Sequence, residues 1–191
     1  MSKFKLRSAV VVYPQLFTPS ECKAIIDIFK SDESKIIDEM KGDEGKKLTF
    51  IELYKTPCVD WIYKKLTDAV NAANKSNFKF DMPISKSVVE NIYINKYDAG
   101  EDSFRGWHVD GFLSDNPAYM TRKLTIVVQL SDTNDYTGAD LQFVEYHNPT
   151  ADVKQQGTAV VFPSFEWHKI SKVDTGVRYS MVLFLHGTPF R

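Results

Sequence analysis

His108 and Asp110, in the stretch Gly106-Trp-His-Val-Asp-Gly111, are the residues of this sequence whose types and spacing most directly suggest chemistry. In a strand successive side chains alternate between faces, so the two would point to the same side while Val109 packs on the other. A third candidate is His168, in Phe162-Pro-Ser-Phe-Glu-Trp-His168, which follows the apolar run Thr158–Phe162 and a turn at Pro163-Ser164. Two imidazoles and one carboxylate can form a facial triad, the arrangement that holds non-haem Fe(II) by one face and leaves the other positions open. Ten residues beyond His168 comes Arg178, then Ser180, in a strand-like run Gly176–Phe184 that would put both on one face.

His-x-Asp alone is a weak signal, because short polar motifs recur by chance. The order of features carries more. An aromatic strand leads to Tyr97-Asp-Ala-Gly100, then His108-x-Asp110, then Arg122–Thr125 opening an apolar strand, then Gly138–Phe143, His168 and Arg178-x-Ser180. That order resembles the 2-oxoglutarate and Fe(II)-dependent oxygenases, and within them the prolyl 4-hydroxylase-like and PKHD-type hydroxylases, closely over Asn91–Leu185 and loosely before it. The sequence departs from the family at Ala139, where a second glycine is usual, and in a long aromatic segment after Asp110. The resemblance implies Fe(II) on His108, Asp110 and His168, with 2-oxoglutarate and molecular oxygen on the remaining positions. Oxidative decarboxylation to succinate would then be coupled to attack on a substrate C–H bond. The far carboxylate of the keto acid needs a cation, and Arg178 suits it because a planar guanidinium offers two parallel charge-assisted hydrogen bonds. Ser180, Tyr97 and Thr125 match positions whose hydroxyls reach the cosubstrate. Two other readings stand beside this one: a jelly-roll metal-binding or structural module without oxygenase activity, and a cupin-like metal enzyme that uses no keto acid.

The 191 residues, 43% of them hydrophobic, suffice for a single domain, expected to span 1–191. A net charge of −1 supplies no general attraction for nucleic acid or an anionic membrane. Cys22 and Cys58 lie far apart and outside any ligand-like spacing, and both read as buried thiols. The N-terminal stretch lacks a signal-like apolar region, and no segment approaches the roughly 20 apolar residues of a membrane span, so the expectation is a soluble, cytoplasmic protein.

The elements that must position these residues can be read in outline. Leu6–Tyr13 is rich in β-branched residues and stops at Pro14. Thr18-Pro-Ser-Glu21 has the form of a helix start, with Ile25, Ile26, Ile28 and Phe29 behind it, and Thr56-Pro57 opens a second apolar-periodic stretch that ends near Asn74. Ser31–Lys47 is highly charged and reads as a solvated loop with one helical turn near Ile36, whereas Leu48–Leu53 reads as a strand. Further strands are expected around Tyr93–His108, Leu124–Leu130, Leu141–Tyr146, Thr158–Phe162 and Val177–Leu185. Early helices followed by strands indicate an α+β, mainly β fold, and the resemblance specifies a double-stranded β-helix, a jelly roll buttressed by N-terminal helices.

Substrate is the least legible part. Phe104, Trp107, Phe112 and Tyr119 flank the His-x-Asp motif and could form an aromatic mouth for a prolyl or other peptidyl side chain, and a small molecule would fit as well. His147 and His186 sit in turn-like sequence and are set aside as ligands.

Overall fold

A computed structural model describes residues 9–31, 37–41, 46–82, 89–111, 121–144 and 151–189. The first helix, α1 (Pro19–Lys30), begins as its sequence requires: the Thr18 hydroxyl accepts from the Glu21 N–H at 3.3 Å, and the Glu21 carboxylate accepts from the Thr18 N–H at 2.7 Å. It buries Cys22, Ile25 and Phe29, spaced three and four apart on one face. The second helix, α2 (Asp60–Ala73), starts three residues later than its Pro57 suggests. Residues Thr56–Val59 form a turn instead, closed by the Val59 N–H on the Thr56 carbonyl at 3.0 Å. Its buried residues Ile62, Tyr63, Leu66, Ala69, Val70 and Ala73 follow the helical period, and Lys65 bridges to Glu21 of α1 at 2.8 Å. No helix among the described residues is long and apolar enough to cross a membrane.

The remainder is one curled antiparallel sheet, a jelly roll. In chain order its strands are β1 (Val11–Tyr13), β2 (Ile37–Lys41), β3 (Lys46–Leu53), β4 (Ile92–Asp98), β5 (Phe104–His108), β6 (Thr121–Gln129), β7 (Tyr136–Gly138), β8 (Leu141–Phe143), β9 (Ala159–Pro163), β10 (His168–Ile170) and β11 (Val173–Gly187). Neighbours run β1-β9-β6-β11-β4-β3-β5-β10-β8, with β2 on β3 and β7 on β11. Strand alternation then creates two cores. On β6, β11, β4 and β9, the residues Leu124, Ile126, Val128, Met181, Leu183, Ile92, Ile94 and Val161 face outward onto α1 and α2. Their neighbours Val127, Tyr97, Val160 and Phe162 face inward, where they meet Leu141 and Phe143 of β8 and Ile170 of β10. The inner space is therefore bounded by β4, β6 and β11 on one wall and by β5, β8 and β10 on the other.

Two expectations fail. The charged segment 31–47 is not simply loop: Ile37–Lys41 pairs antiparallel with β3, from Ile37 opposite Phe50 to Lys41 opposite Lys46, because a backbone ladder against β3 satisfies its peptide groups whatever the charge of its side chains. Cys58 is exposed in the turn before α2, and only Cys22 is buried. Residues 6–8 of the first expected strand and 145–146 of the fifth lie outside the described residues, as does His147.

Candidate metal and keto-acid site

The three expected metal ligands converge, although not by strand alternation alone. β5 ends at His108, and Asp110 lies beyond it in a bend. Its place is set by the turn after β9: the N–H groups of Asp110 and Gly111 both donate to the Ser164 carbonyl, at 2.8 and 2.9 Å, instead of extending a ladder. Gly111 must be glycine there, since a Cβ would stand 2.9 Å from Arg122 Cβ and 3.3 Å from Ser164 Cβ. His168 opens β10 and is the cross-strand partner of His108, with ring centroids 4.1 Å apart. His108 Nε2 lies 3.5 Å from Asp110 Oδ1, and His168 Nε2 lies 3.4 Å from Asp110 Oδ2. One donor atom from each of the three falls within 4.8 Å of the others.

Both imidazoles are held in one tautomer. His108 Nδ1 is 2.8 Å from the Gly106 carbonyl and His168 Nδ1 is 2.9 Å from the Glu166 carbonyl. A carbonyl only accepts, so each Nδ1 carries a proton and each Nε2 is left on the side of Asp110, where that of His108 also accepts from Arg105 Nε at 2.6 Å. This is the orientation that metal-binding histidines require. Burial lowers the His168 pKa to about 4, which keeps the ring neutral near pH 7. Burial opposes ionisation of Asp110, but contact with His108 and the charges of His168 and Arg105 outweigh it and hold its pKa down to about 2. Two imidazole nitrogen donors and one ionised oxygen donor facing one point fit a divalent metal such as Fe(II).

The other expected residues divide by position. Arg178 is 3% exposed and pairs across the sheet with Tyr97, its guanidinium 5.3 Å from the phenol ring centre. Its Nε donates to Gln129 Oε1 at 2.9 Å, but Nη1 is buried without a partner. A buried cationic donor left unsatisfied is costly, so this atom is where a carboxylate would belong. Arg178 does not line the main cavity itself; it lies in an adjoining recess that shares the Val127 and Leu141 walls. The main cavity, about 300 Å³, is lined by Tyr97, Ser180, His108, Asp110 and His168 among others. Thr125 makes contacts that its sequence position did not suggest. Its hydroxyl donates to Asp110 Oδ2 at 2.9 Å and lies 3.0 Å from Ser164 Oγ, so it holds the metal-facing carboxylate rather than reaching into the cavity.

Sequence reasoning passed over two arginines. Arg105 donates from Nε to His108 Nε2 at 2.6 Å, and Arg122 donates from Nη1 to the Asp110 carbonyl at 2.8 Å while its other nitrogens grip Glu90 at 2.6 Å. Both line the cavity because the register slips beside them: His168 and Ile170 face His108 and Arg105, two residues against three, and Leu185 and His186 face Leu124 and Arg122 in the same way. Such a bulge changes the face on which a side chain emerges. The expected aromatic mouth is also different. Trp107 is 44% exposed, absent from the cavity and covered by the Lys169 ammonium at 4.8 Å, while Phe112 and Tyr119 lie outside the described residues.

A curled double-stranded roll carrying a His–Asp–His cluster at one end defines the class of non-haem metal oxygenases built on a jelly roll. Residues 92–186 match the model of the 2OG-Fe(II) oxygenase superfamily. Among curated relatives, a PKHD-type hydroxylase of Synechococcus sp. is 27% identical over 120 residues, 62% of this chain and 53% of the relative. The PKHD-type hydroxylase YbiX of Escherichia coli is 25% identical over 120 residues, 62% and 52% of the two chains. The chain thus spans about half the length of the curated relatives it matches. Among solved structures, a Pseudomonas putida prolyl-4-hydroxylase superposes with a TM-score of 0.68 at 15% identity, over 94% of this chain and 92% of that one. The viral collagen prolyl hydroxylase of Paramecium Bursaria Chlorella virus-1, in its 2OG complex, gives 0.67 at 16% identity, over 95% and 97%. These likenesses establish the fold. The family match, over about half of the sequence, makes the chain a member of the 2OG-Fe(II) oxygenase superfamily.

Proposed function

We propose that residues 1–191 act as one Fe(II)- and 2-oxoglutarate-dependent dioxygenase domain that hydroxylates a C–H bond of a peptidyl side chain. The observation that carries this reading is the convergence of two tautomerically fixed Nε2 lone pairs and the Asp110 carboxylate on one point of the cavity wall. His108, Asp110 and His168 would hold the metal, and Arg178 would take the far carboxylate of the keto acid, with Tyr97 and Ser180 beside it. When bound, the metal and keto acid supply the oxidising chemistry: one atom of dioxygen enters the substrate C–H bond, the other enters succinate, and carbon dioxide leaves.

The protein's own part is positional. Thr125 and Arg122 fix Asp110 through its side chain and its carbonyl, and the Gly106 and Glu166 carbonyls fix the two rings. Phe143 and Phe162 pack on His168, at ring distances of 6.0 and 4.8 Å, and keep water from that side of the triad. Tyr97, on the cavity wall, pairs across the sheet with Arg178 of the adjoining recess, and burial pushes its phenol pKa up, so it stays a neutral hydroxyl there. A single continuous sheet over the described strands supports one domain, and two unpaired thiols accord with a cytoplasmic location. The deciding experiment supplies Fe(II), oxygen and 2-oxoglutarate to the protein and measures succinate. Formation that is lost in His168→Ala supports the proposal, and its absence from the wild-type protein sinks it.

A further inference from the structure

The cavity wall away from the metal triad has a chemistry of its own. Register places Glu52 of β3 directly opposite Tyr93 of β4, and Tyr93 opposite Val182 of β11. Phe50 and Phe184 stand two residues along their strands from Glu52 and Val182, and alternation turns them to the same side. The rings of Phe50 and Tyr93 lie 5.7 Å apart at 61°, and those of Tyr93 and Phe184 lie 5.8 Å apart at 57°. All three, with the Glu52 carboxylate, line the cavity.

Among the described residues Glu52 has no counter-charge. Its partner is the neutral Asn91 amide, 3.3 Å from Oε2, and among the described residues it makes no ion pair. The nearby cations are already committed. Arg122 stacks on Phe184 at 3.8 Å, but Glu90 neutralises it through two 2.6 Å bonds, and Arg105 is turned to His108 and Asp110 on the opposite wall. The field at Tyr93 accords with this: burial pushes its phenol up, and Glu52 and then Glu90 add to that rise ahead of the opposing Arg122.

We infer that this wall is a cation subsite, and that the side chain to be oxidised is an aliphatic chain ending in a positive charge, a primary amine or a guanidinium. The faces of Phe50 and Tyr93 present negative potential and draw a cation placed over them, while Phe184 already carries Arg122, and Glu52 completes the site as the counter-ion. A neutral substrate would leave that half-buried carboxylate uncompensated, whereas a basic one exchanges water for a charge-assisted contact and lays its methylenes on the rings. The inference rests on the hydroxylase reading and names its substrate class.

Binding and turnover test it separately. With Mn(II) and 2-oxoglutarate present, the protein is titrated calorimetrically with acetyl-Gly-Lys-Gly-amide, with the norleucine analogue of the same length, and with free lysine. The lysyl peptide should bind at least about tenfold tighter than the norleucyl one, and Glu52→Gln, which keeps the Asn91 contact, should remove about that factor from the lysyl peptide alone. Tight binding of free lysine instead of the peptide also supports the cation subsite and makes the substrate a small amine. Equal affinity for the two peptides, binding of neither peptide nor lysine, or a Glu52→Gln protein that keeps the preference overturns it. Succinate formation with Fe(II) is read in parallel. If no 2-oxoglutarate is consumed the oxygenase reading fails while the titrations still decide the subsite; if it is consumed but basic compounds stimulate no better than norleucyl ones, the subsite is refuted.

Discussion

Replacing Arg178 with Gln removes the cation on which the keto-acid assignment depends, and the structure supplies both the size and the sign of the effect. In the wild-type protein Nη1 is buried without a partner, so the guanidinium bears a desolvation cost that a bound carboxylate would relieve. Without 2-oxoglutarate, then, Arg178→Gln should melt close to the wild type or above it, because the shorter amide can still reach toward Gln129 and no charge is left stranded. With 2-oxoglutarate the order reverses. At about 100 times its dissociation constant the keto acid should stabilise the wild-type protein by ~2.7 kcal/mol, or roughly 5–10 °C for a domain of this size. Losing the buried partner of a charged pair costs about 2–5 kcal/mol, a factor of roughly 30 to several thousand in affinity. At the same concentration the variant should keep less than about 1 kcal/mol of that stabilisation. Arg178→Lys should fall between, since an ammonium restores the charge but not the fork. Melting curves with Mn(II) held constant and 2-oxoglutarate varied give the answer. A full keto-acid-dependent shift in Arg178→Gln would refute the assignment even if the metal site were correct.

Other expectations follow from the same geometry. Truncating His108, Asp110 or His168 to Ala removes one of three donor atoms, so Mn(II) binding by calorimetry should weaken by at least about a hundredfold with far-ultraviolet dichroism unchanged. Thr125→Val is nearly isosteric but leaves Asp110 Oδ2 without its donor, and metal affinity should fall roughly tenfold; an unchanged constant would show that the hydroxyl does not support the ligand. Burial pushes the Cys22 thiol up to about 11 while Cys58 is exposed, so a thiol reagent at pH 8 should label one cysteine in the folded protein and two after denaturation.

The metal donors were legible because two of their determinants are local. Residue type narrows the chemistry to imidazole and carboxylate, and the order of His108, Asp110, His168 and Arg178 survives whatever the loops between them do. The helix start at Thr18 was legible for the same reason, since both halves of the capping box lie within four residues. What was not legible depended on distant partners. Thr125 was assigned to the cosubstrate on its strand and its hydroxyl, and nothing local shows that the Asp110 carboxylate, fifteen residues away in sequence, comes to meet it. Cys58 was placed inside on the habits of its residue type, and its turn in front of α2 puts it outside.

The two arginines show most clearly where sequence parity ceases to be a guide. Three residues separate Arg105 from His108, and three separate Arg122 from Thr125, odd spacings that an unbroken strand would turn to opposite faces. Arg105 and His108 nevertheless both line the cavity, and Arg122 and Thr125 both reach Asp110, because a bulge sits in each interval, at Gly106-Trp107 in β5 and at Lys123 in β6. Gly106 is the one local hint, as a glycine within a strand often marks such an irregularity. Without these slips the Asp110 carbonyl and the His108 Nε2 would lose their guanidinium contacts, and the inner wall would carry the acidic groups without the cations that balance them. The bulges therefore belong to the site as much as the ligands do. A substitution that straightens β5, such as Gly106→Val with its strand-favouring branch, should turn Arg105 away from His108 while leaving the outer core intact. A crystal structure or the His108 ring resonances would report that rotation, and an unmoved Arg105 would show that something other than the bulge sets its direction.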